Sequence, residues 1–283
     1  MAKYRKILVA FDGSPSARNA LNMAARLAGE DKSWIKVLAV VPAYEGDMEL
    51  IGVSNIKETI AGPGQKLLDE AKGLAAAADV HILADMAQGE PYDKIVHVAE
   101  EEKCDLIIMG RSGHSHLERA LMGSVTARVI GHTDRNVLVM PDQAELAWDR
   151  ILLATDGSDN SRDAADLAME IAREKGGSLT AVSVVYTNDE FIALAPEMIT
   201  ELVGKAEKVL DGIKARGAEQ GLAVDTVVKE GEPHEAITRL AADINASLIV
   251  MGTFGRKGLN RLLMGSVTER TIGYAVCPVL VAH

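Results

Sequence analysis

Two stretches of this chain are copies of one another, and each constrains how the backbone must turn. Met109–Ser124 reads MGRSGHSHLERALMGS and Met251–Ser266 reads MGTFGRKGLNRLLMGS. In both, the glycines keep one spacing: Gly, two residues, Gly, nine residues, Gly, Ser. The positions are Gly110, Gly113, Gly123 and Ser124 in the first copy, and Gly252, Gly255, Gly265 and Ser266 in the second. Each stretch follows a short apolar run, Leu106 to Met109 or Leu248 to Met251, that suits a strand buried in a parallel sheet. A strand that runs into glycines and then a helix is well placed to hold an anion. Glycines let backbone N–H groups come close, and the helix start adds unpaired donors and the positive end of its dipole. A loop that merely turns the chain and caps a helix would use the same residues, with Ser124 and Ser266 as N-caps. The recurrence of the spacing beside a strand-end aspartate in both copies favours a ligand.

The repetition extends through most of the chain. The segment ending in Asp12, Gly13 and Ser14 matches the one ending in Asp156, Gly157 and Ser158, and Gly89-Glu90-Pro91 matches Gly231-Glu232-Pro233. Leu121–Gly131 and Leu263–Gly273 agree at nine of eleven positions. The offset is 144 at the aspartates and 142 from Gly89 onward, so two residues are missing between these points in the second copy. A period this long means a duplicated domain rather than a solenoid. The 283 residues therefore divide into domain 1 at 1–141, a linker at 142–148 and domain 2 at 149–283, each large enough for its own core.

Within each copy, strand and helix patterns alternate. The first copy predicts strands at Lys6–Phe11, Ile35–Val41, Val80–Ala84, Asp105–Met109 and Val137–Met140. Helices are predicted from the Ser14 cap to Gly29, from about Gln65 after the Gly62-Pro63-Gly64 interruption, from Pro91 to Glu102, and from Ser124 to Gly131. Residues 43–56 read as a loop. The second copy predicts strands at 151–155, 179–185, 223–228, 248–251 and 279–282, with helices at 158–175, 197–220, 233–243 and 266–274. Such alternation implies an α/β fold: two doubly wound, mostly parallel five-stranded sheets, Rossmann-like, with a flavodoxin-like strand order. Ligands in such sheets bind at the carboxyl ends of strands, where the winding reverses. Asp12 and Gly110 both fall at strand ends, and they meet if strands one and four are neighbours.

Composition removes several function classes. A net charge of −11 argues against binding a nucleic-acid backbone, though not against a small anion in a pocket. The N-terminal apolar run, Ile7 to Phe11, is too short for a signal-peptide core, and no run is long enough to span a bilayer. Cys104 and Cys277 are the only cysteines and do not match between the copies, so no disulfide framework is expected and the cytoplasm is the expected location. His114 and His116 align with Arg256 and Gly258 and have no Cys or acidic cluster beside them, so they read as solvent-facing loop residues rather than metal ligands.

Taken together, the Asp-Gly-Ser after the first strand, the Gly-Glu-Pro after the third, the doubled glycine motif and the closing apolar strands resemble the universal stress protein family in its tandem form. The resemblance covers about residues 3–141 and 148–283. It implies two adenine-nucleotide sites, each holding ATP with Mg²⁺, with ADP or AMP as alternatives. The first would be formed by Ala10, Phe11, Asp12, Val40, Met109, Gly110, Gly113, Gly123, Ser124, Val125 and Thr126. The second would use Ala154, Thr155, Asp156, Val184, Met251, Gly252, Gly255, Arg256, Gly265, Ser266, Val267 and Thr268. Asp12 and Asp156 would lie beside adenine and ribose, Val40 and Val184 would line the adenine, and the motif glycines and serines would hold ribose and phosphates. An aspartate at a strand end suits either a ribose hydroxyl or a divalent cation among phosphates, so both roles stay open. Arg256 and Lys257 add positive charge to the second loop and predict tighter triphosphate binding there.

Three functions compete. One is a nucleotide-binding stress-response regulator, another a slow ATPase or phosphotransfer enzyme, and the third a dimerising scaffold with structural nucleotide. The chain has no GxxxxGK[ST] loop and no nucleophile elbow, which favours binding over turnover and leaves no residue to assign as catalytic. The family resemblance also implies that Val137–Met140 and Val279–Ala282 pair within one chain, protecting two sheet edges. A homodimer and a protein partner remain open; nucleic acid and membrane are not expected partners.

Overall fold

The computed structural model describes residues 4–43, 56–111, 122–188, 196–253 and 264–283, excluding the side chains of 56–61 and 196. These residues form two compact units that divide near Gln143.

The first unit runs β1 (Lys6–Ala10), α1 (Pro15–Asp31), β2 (Trp34–Val41), α2 (Ile56–Ala77), β3 (Ile82–Gln88), α3 (Pro91–Glu101), β4 (Leu106–Gly110), α4 (Ser124–His132) and β5 (Asn136–Met140). Its strands are parallel in the order β3-β2-β1-β4-β5. The central strands carry Ile7, Leu8, Leu106, Ile107 and Ile108, all fully buried, as an apolar run covered on both faces requires. Ser14 caps α1 by accepting from the Ala17 N–H, and the small face Ala17, Ala20, Ala24 lets the helix lie close to the sheet.

The second unit repeats the plan with β6 (Arg150–Ala154), α5 (Asp159–Lys175), β7 (Ser178–Val185), α6 (Pro196–Glu219), β8 (Val224–Glu230), α7 (Pro233–Asp243), β9 (Leu248–Gly252), α8 (Ser266–Tyr274) and β10 (Val279–Ala282). Its parallel order is β8-β7-β6-β9-β10.

The fold class agrees with the sequence, but three details differ. The strand order in each unit is of the 3-2-1-4-5 Rossmann type, whereas a flavodoxin-like order would place the third strand beside the first. The first and fourth strands are neighbours, with Ile7 opposite Leu106 and Val9 opposite Ile108, so the winding reverses between them. Next, α2 starts at Ile56 and runs through Pro63 instead of beginning near Gln65. Pro63 is exposed, and Gly64 is a packing residue: a Cβ there would lie 2.3 Å from Met86 Sδ and 2.7 Å from Val41. The Gly-Pro-Gly run thus marks a close approach of helix to sheet rather than a break. Finally, β3 begins and ends later than Val80–Ala84. Asp79 is left-handed (φ 55°), which delays the start. The strand then stays paired to β2 as far as Val41 opposite Gln88, despite lacking β-branched residues there.

Candidate functional site

Each candidate site is built where the first and fourth strands of a unit end side by side. In the first unit, the Phe11 N–H donates to the Leu38 carbonyl (2.9 Å), carrying the pairing one residue past β1. The chain then turns at Gly13, whose φ of 77° is one that glycine adopts without strain. The Ser14 N–H donates to Asp12 Oδ1 (3.0 Å), which fixes the exposed carboxylate at the strand end. The second unit repeats this turn with Gly157 (φ 75°) and a Ser158 N–H to Asp156 Oδ1 bond of 3.0 Å.

The fourth strands end at the glycine motif. A Cβ on Gly110 would stand 2.4 Å from Ser16 Oγ and 2.8 Å from the Ala17 nitrogen; one on Gly252 would stand 2.8 Å from the Asn160 carbonyl oxygen. The first glycine of each motif is therefore required by helix-on-strand packing, whatever else it does. Past the strand, the Gly123 N–H donates to Arg111 O (2.8 Å) and the Gly265 N–H to Thr253 O (2.9 Å). The Thr126 hydroxyl donates to Gly110 O (3.0 Å), and Thr268 to Gly252 O (2.9 Å). These bonds pin the two ends of each motif together. Gly113, Gly255, Arg256 and Lys257, like His114 and His116, lie outside the described residues.

Ser124 and Ser266 are not N-caps. The caps are Gly123 and Gly265, with ordinary extended dihedrals and no side-chain capping bond, and the serines occupy the first helical position. Both are exposed. A helix start without a side-chain cap presents its first-turn N–H groups outward, together with the positive end of the helix dipole.

In the first unit these parts enclose a cavity of about 220 Å³. It is lined by Ala10, Phe11, Asp12, Val40, Met109, Gly110, Gly123, Ser124, Val125 and Thr126, the described members of the first predicted set. It is also lined by Ser14, Ala17, Leu38, Pro91 and Ile95, which the sequence reading did not assign to the site. Leu38 was within reach, because it lies two residues before Val40 and so faces the same side of β2. Pro91 was within reach as well, because the Gly-Glu-Pro repeat had marked it.

In the second unit, Ala154, Thr155 and Met251 are buried and Asp156, Val184, Gly252, Gly265 and Val267 half-buried. Ser266 and buried Thr268 open α8. The apolar Phe11 of the first unit has Thr155 as its counterpart. The Thr155 hydroxyl donates to Ser161 Oγ (3.0 Å), which donates to Ser158 O (2.9 Å), so a chain of hydroxyls braces this turn. Among the described residues, no helix is long and apolar enough to cross a membrane.

A sequence model of the universal stress protein family matches residues 3–141 and again residues 147–283. A universal stress protein of Methanocaldococcus jannaschii is 39% identical over 142 residues, which is 48% of this chain and 83% of that protein. Among solved structures, a universal stress protein from Archaeoglobus fulgidus is similar over 98% of this chain and 97% of its own, with 24% identity and a TM-score of 0.70. That likeness is one of fold. A further solved universal stress protein, in complex with cAMP, aligns with 50% of this chain and 99% of its own at 27% identity and a TM-score of 0.40.

Proposed function

The chain belongs to the universal stress protein family, and from that premise we propose that each half binds one adenine nucleotide. The ligand is ATP with Mg²⁺, or its products ADP and AMP, and occupancy alters the shape or partner surface of a stress-response regulator. The observation that carries this reading is the juxtaposition of Asp12 with the uncapped start of α4 across one cavity. A helix start of this kind favours phosphate. The apolar wall of Leu38, Val40, Pro91 and Ile95 suits a base, and a strand-end carboxylate suits ribose hydroxyls or a phosphate-bound cation. Asp156, Val184, Gly252, Gly265, Ser266, Val267 and Thr268 are the corresponding groups of the second half, with Gly113, Gly255 and Arg256 completing the two loops. Bound Mg²⁺ would offset phosphate charge, with Asp12 and Asp156 as the carboxylates nearest to hand.

Binding is favoured over rapid turnover. Among the described lining residues Asp12 is the one titratable side chain, and its Oδ1 already accepts from the Ser14 N–H. We also place the chain in the cytoplasm and propose that Val137–Met140 and Val279–Ala282 pair within one chain. Each is the outer strand of its five-stranded set, and an apolar edge strand recruits a partner.

The test is nucleotide content. Purified protein is denatured, and the released material is identified and counted by chromatography and mass spectrometry. About two adenine nucleotides per chain are expected by the site count. Release of none, with no binding when Mg²⁺ and ATP are added back, would reduce the motif to a structural turn.

A further inference from the structure

Two walls of the first unit's cavity come from helices. Pro91 and Ile95 come from α3, and Ser124, Val125 and Thr126 come from α4. Arg128 of α4 reaches across to the start of α3. Arg128 Nη1 lies 2.6 Å from Glu90 Oε1, at the residue that precedes Pro91. Its guanidinium sits 3.8 Å from the centroid of the Tyr92 ring, the next residue but one. Tyr92 in turn meets His132 at 5.0 Å between ring centroids, and His132 Nδ1 contacts the Arg128 carbonyl at 2.7 Å. The arginine therefore grips α3 on both sides of Pro91 while standing one turn beyond Ser124. An exposed ion pair alone contributes little. A planar guanidinium stacked on a ring and bonded to a carboxylate loses less freedom per contact, and so fixes geometry better.

The second unit has the same helices with the aromatic pair exchanged. His234 stands where Tyr92 does, and Tyr274 where His132 does. Arg270 reaches Glu232 Oε1 only at 3.5 Å, and the same oxygen contacts His234 Nδ1 at 3.2 Å. Those two rings lie 5.5 Å apart. The carboxylate is thus shared between two partners, and the bridge between α7 and α8 is longer.

We infer that Arg128 is a positioning residue that sets how long the first half retains its nucleotide, making the two halves unequal in ligand release. This rests on the nucleotide-binding reading above. Arg128 acts by holding the base-side wall of α3 against the anion-facing start of α4, without touching the ligand. The second half, with its looser bridge, releases faster, against the tighter triphosphate binding that the Arg256 and Lys257 charges predict. Which phase Arg128→Gln accelerates decides between them, and acceleration of the fast phase alone overturns this ordering.

The test uses the full chain loaded with a fluorescent N-methylanthraniloyl-ATP and Mg²⁺, chased with excess ATP in a stopped-flow instrument. The wild-type protein is expected to release in two phases. Arg128→Gln accelerates the slow phase about three- to tenfold, the range of one exposed ion pair plus one cation–π contact. It leaves the fast phase unchanged, an internal control that general destabilisation would not spare. Glu90→Gln acts in the same direction, and the double variant releases no faster than Arg128→Gln alone, because both remove one bridge. If Arg128→Gln fails to fold by circular dichroism, Glu90→Gln carries the test. A single release phase in the wild type, an unchanged slow phase in the variants, or acceleration of both phases overturns the role of Arg128 while leaving nucleotide binding intact. Absence of any binding by the wild type overturns the nucleotide reading itself, and this inference with it.

Discussion

Lys36 Nζ lies 2.7 Å from Glu102 Oε1, a largely buried cation meeting a carboxylate at the far end of α3. Asp85 adds a second contact at 3.3 Å. Burial alone would lower the lysine pKa; the hydrogen bonds from Glu102 and Asp85 outweigh it and hold the ammonium above its ordinary value. The duplicated half has uncharged residues at the three corresponding positions, although Asp225 stands opposite Thr180 in the strand register. Thr180 replaces Lys36, Ile244 replaces Glu102, and the strand register puts Val227 where Asp85 stands, each opposite the fifth residue of its partner strand. Removing one member should therefore cost more than removing all three. Glu102→Gln is expected to lose about 1 kcal/mol, discounted for its partial exposure, because it strips the lysine of its shorter contact. Replacing Lys36, Asp85 and Glu102 together with Thr, Val and Ile should fall within about 0.5 kcal/mol of the wild type. Urea denaturation decides it, and a triple variant less stable than Glu102→Gln would sink the argument.

Gly110 is expected to tolerate no side chain. The Cβ of Gly110→Ala would meet the backbone of α1 at Ala17 N, 2.8 Å away, as well as the Ser16 hydroxyl. A hydroxyl can rotate aside, but a helix backbone cannot. Overpacking of this kind costs about 1–3 kcal/mol, and it should appear in protein stripped of nucleotide as well as in loaded protein. Gly252→Ala should behave alike through the Asn160 backbone. A stability loss seen only in the presence of nucleotide would mean that the glycine serves the ligand alone.

These packing roles bear on what the sequence could reveal. The duplicated spacing exposed the motif, the strand-end aspartates and the α/β alternation, because each follows from local pattern. It could not separate the roles of the glycines. Gly110 looks like a ligand-approach residue and is, whatever its role toward a ligand, required by packing, while Gly123 looks like a turn and is a helix cap with ordinary dihedrals. Pro63 misled because a helix-breaker was read without its surroundings, where Gly64 lets α2 settle onto Met86 and Val41. Glu90 belongs to the Gly-Glu-Pro repeat and Arg128 to the Leu121–Gly131 repeat, but neither pattern links them to each other or to Tyr92. Their meeting depends on how α3 and α4 pack, which periodicity does not encode.

The two cysteines should be inert in the folded chain. Both are buried, and burial pushes each thiol up to about 11. A reagent that needs thiolate, such as Ellman's reagent at pH 8, should label neither until the protein is unfolded, after which both react. The same shift predicts alkaline instability. Above the unfolded-state value near 9.0 the unfolded chain gives up thiol protons that the folded chain keeps. Stability is therefore full below about pH 9 and falls as pH rises toward about 11. Tyr4, raised chiefly by burial, acts in the same direction. Melting temperatures for the wild type and for a Cys104→Ala, Cys277→Ala variant test this, since the variant should lose less over that range. Equal alkaline slopes would rule the thiols out as its source.

Thr126 offers the most direct separation of fold from site. Its hydroxyl donates to the Gly110 carbonyl at 3.0 Å, and the residue is buried. With the Gly123 N–H to Arg111 O bond of 2.8 Å, it ties the start of α4 to the end of β4 independently of the intervening loop. Thr126→Val keeps the shape, removes the donor and leaves the Gly110 carbonyl short of a partner, which costs about 1–2 kcal/mol. Thr126→Ser restores the donor and should recover most of that loss. Because the bond positions the helix start, Thr126→Val should also lower the nucleotide released on denaturation toward one per chain, from the half that carries the change. Thr268→Val, which breaks the matching 2.9 Å bond to Gly252, should do the same for the other half, and the two variants combined should release almost none. If either single variant emptied both halves, the two sites would not be built independently, and the hydroxyl would be acting through the stability of the whole chain.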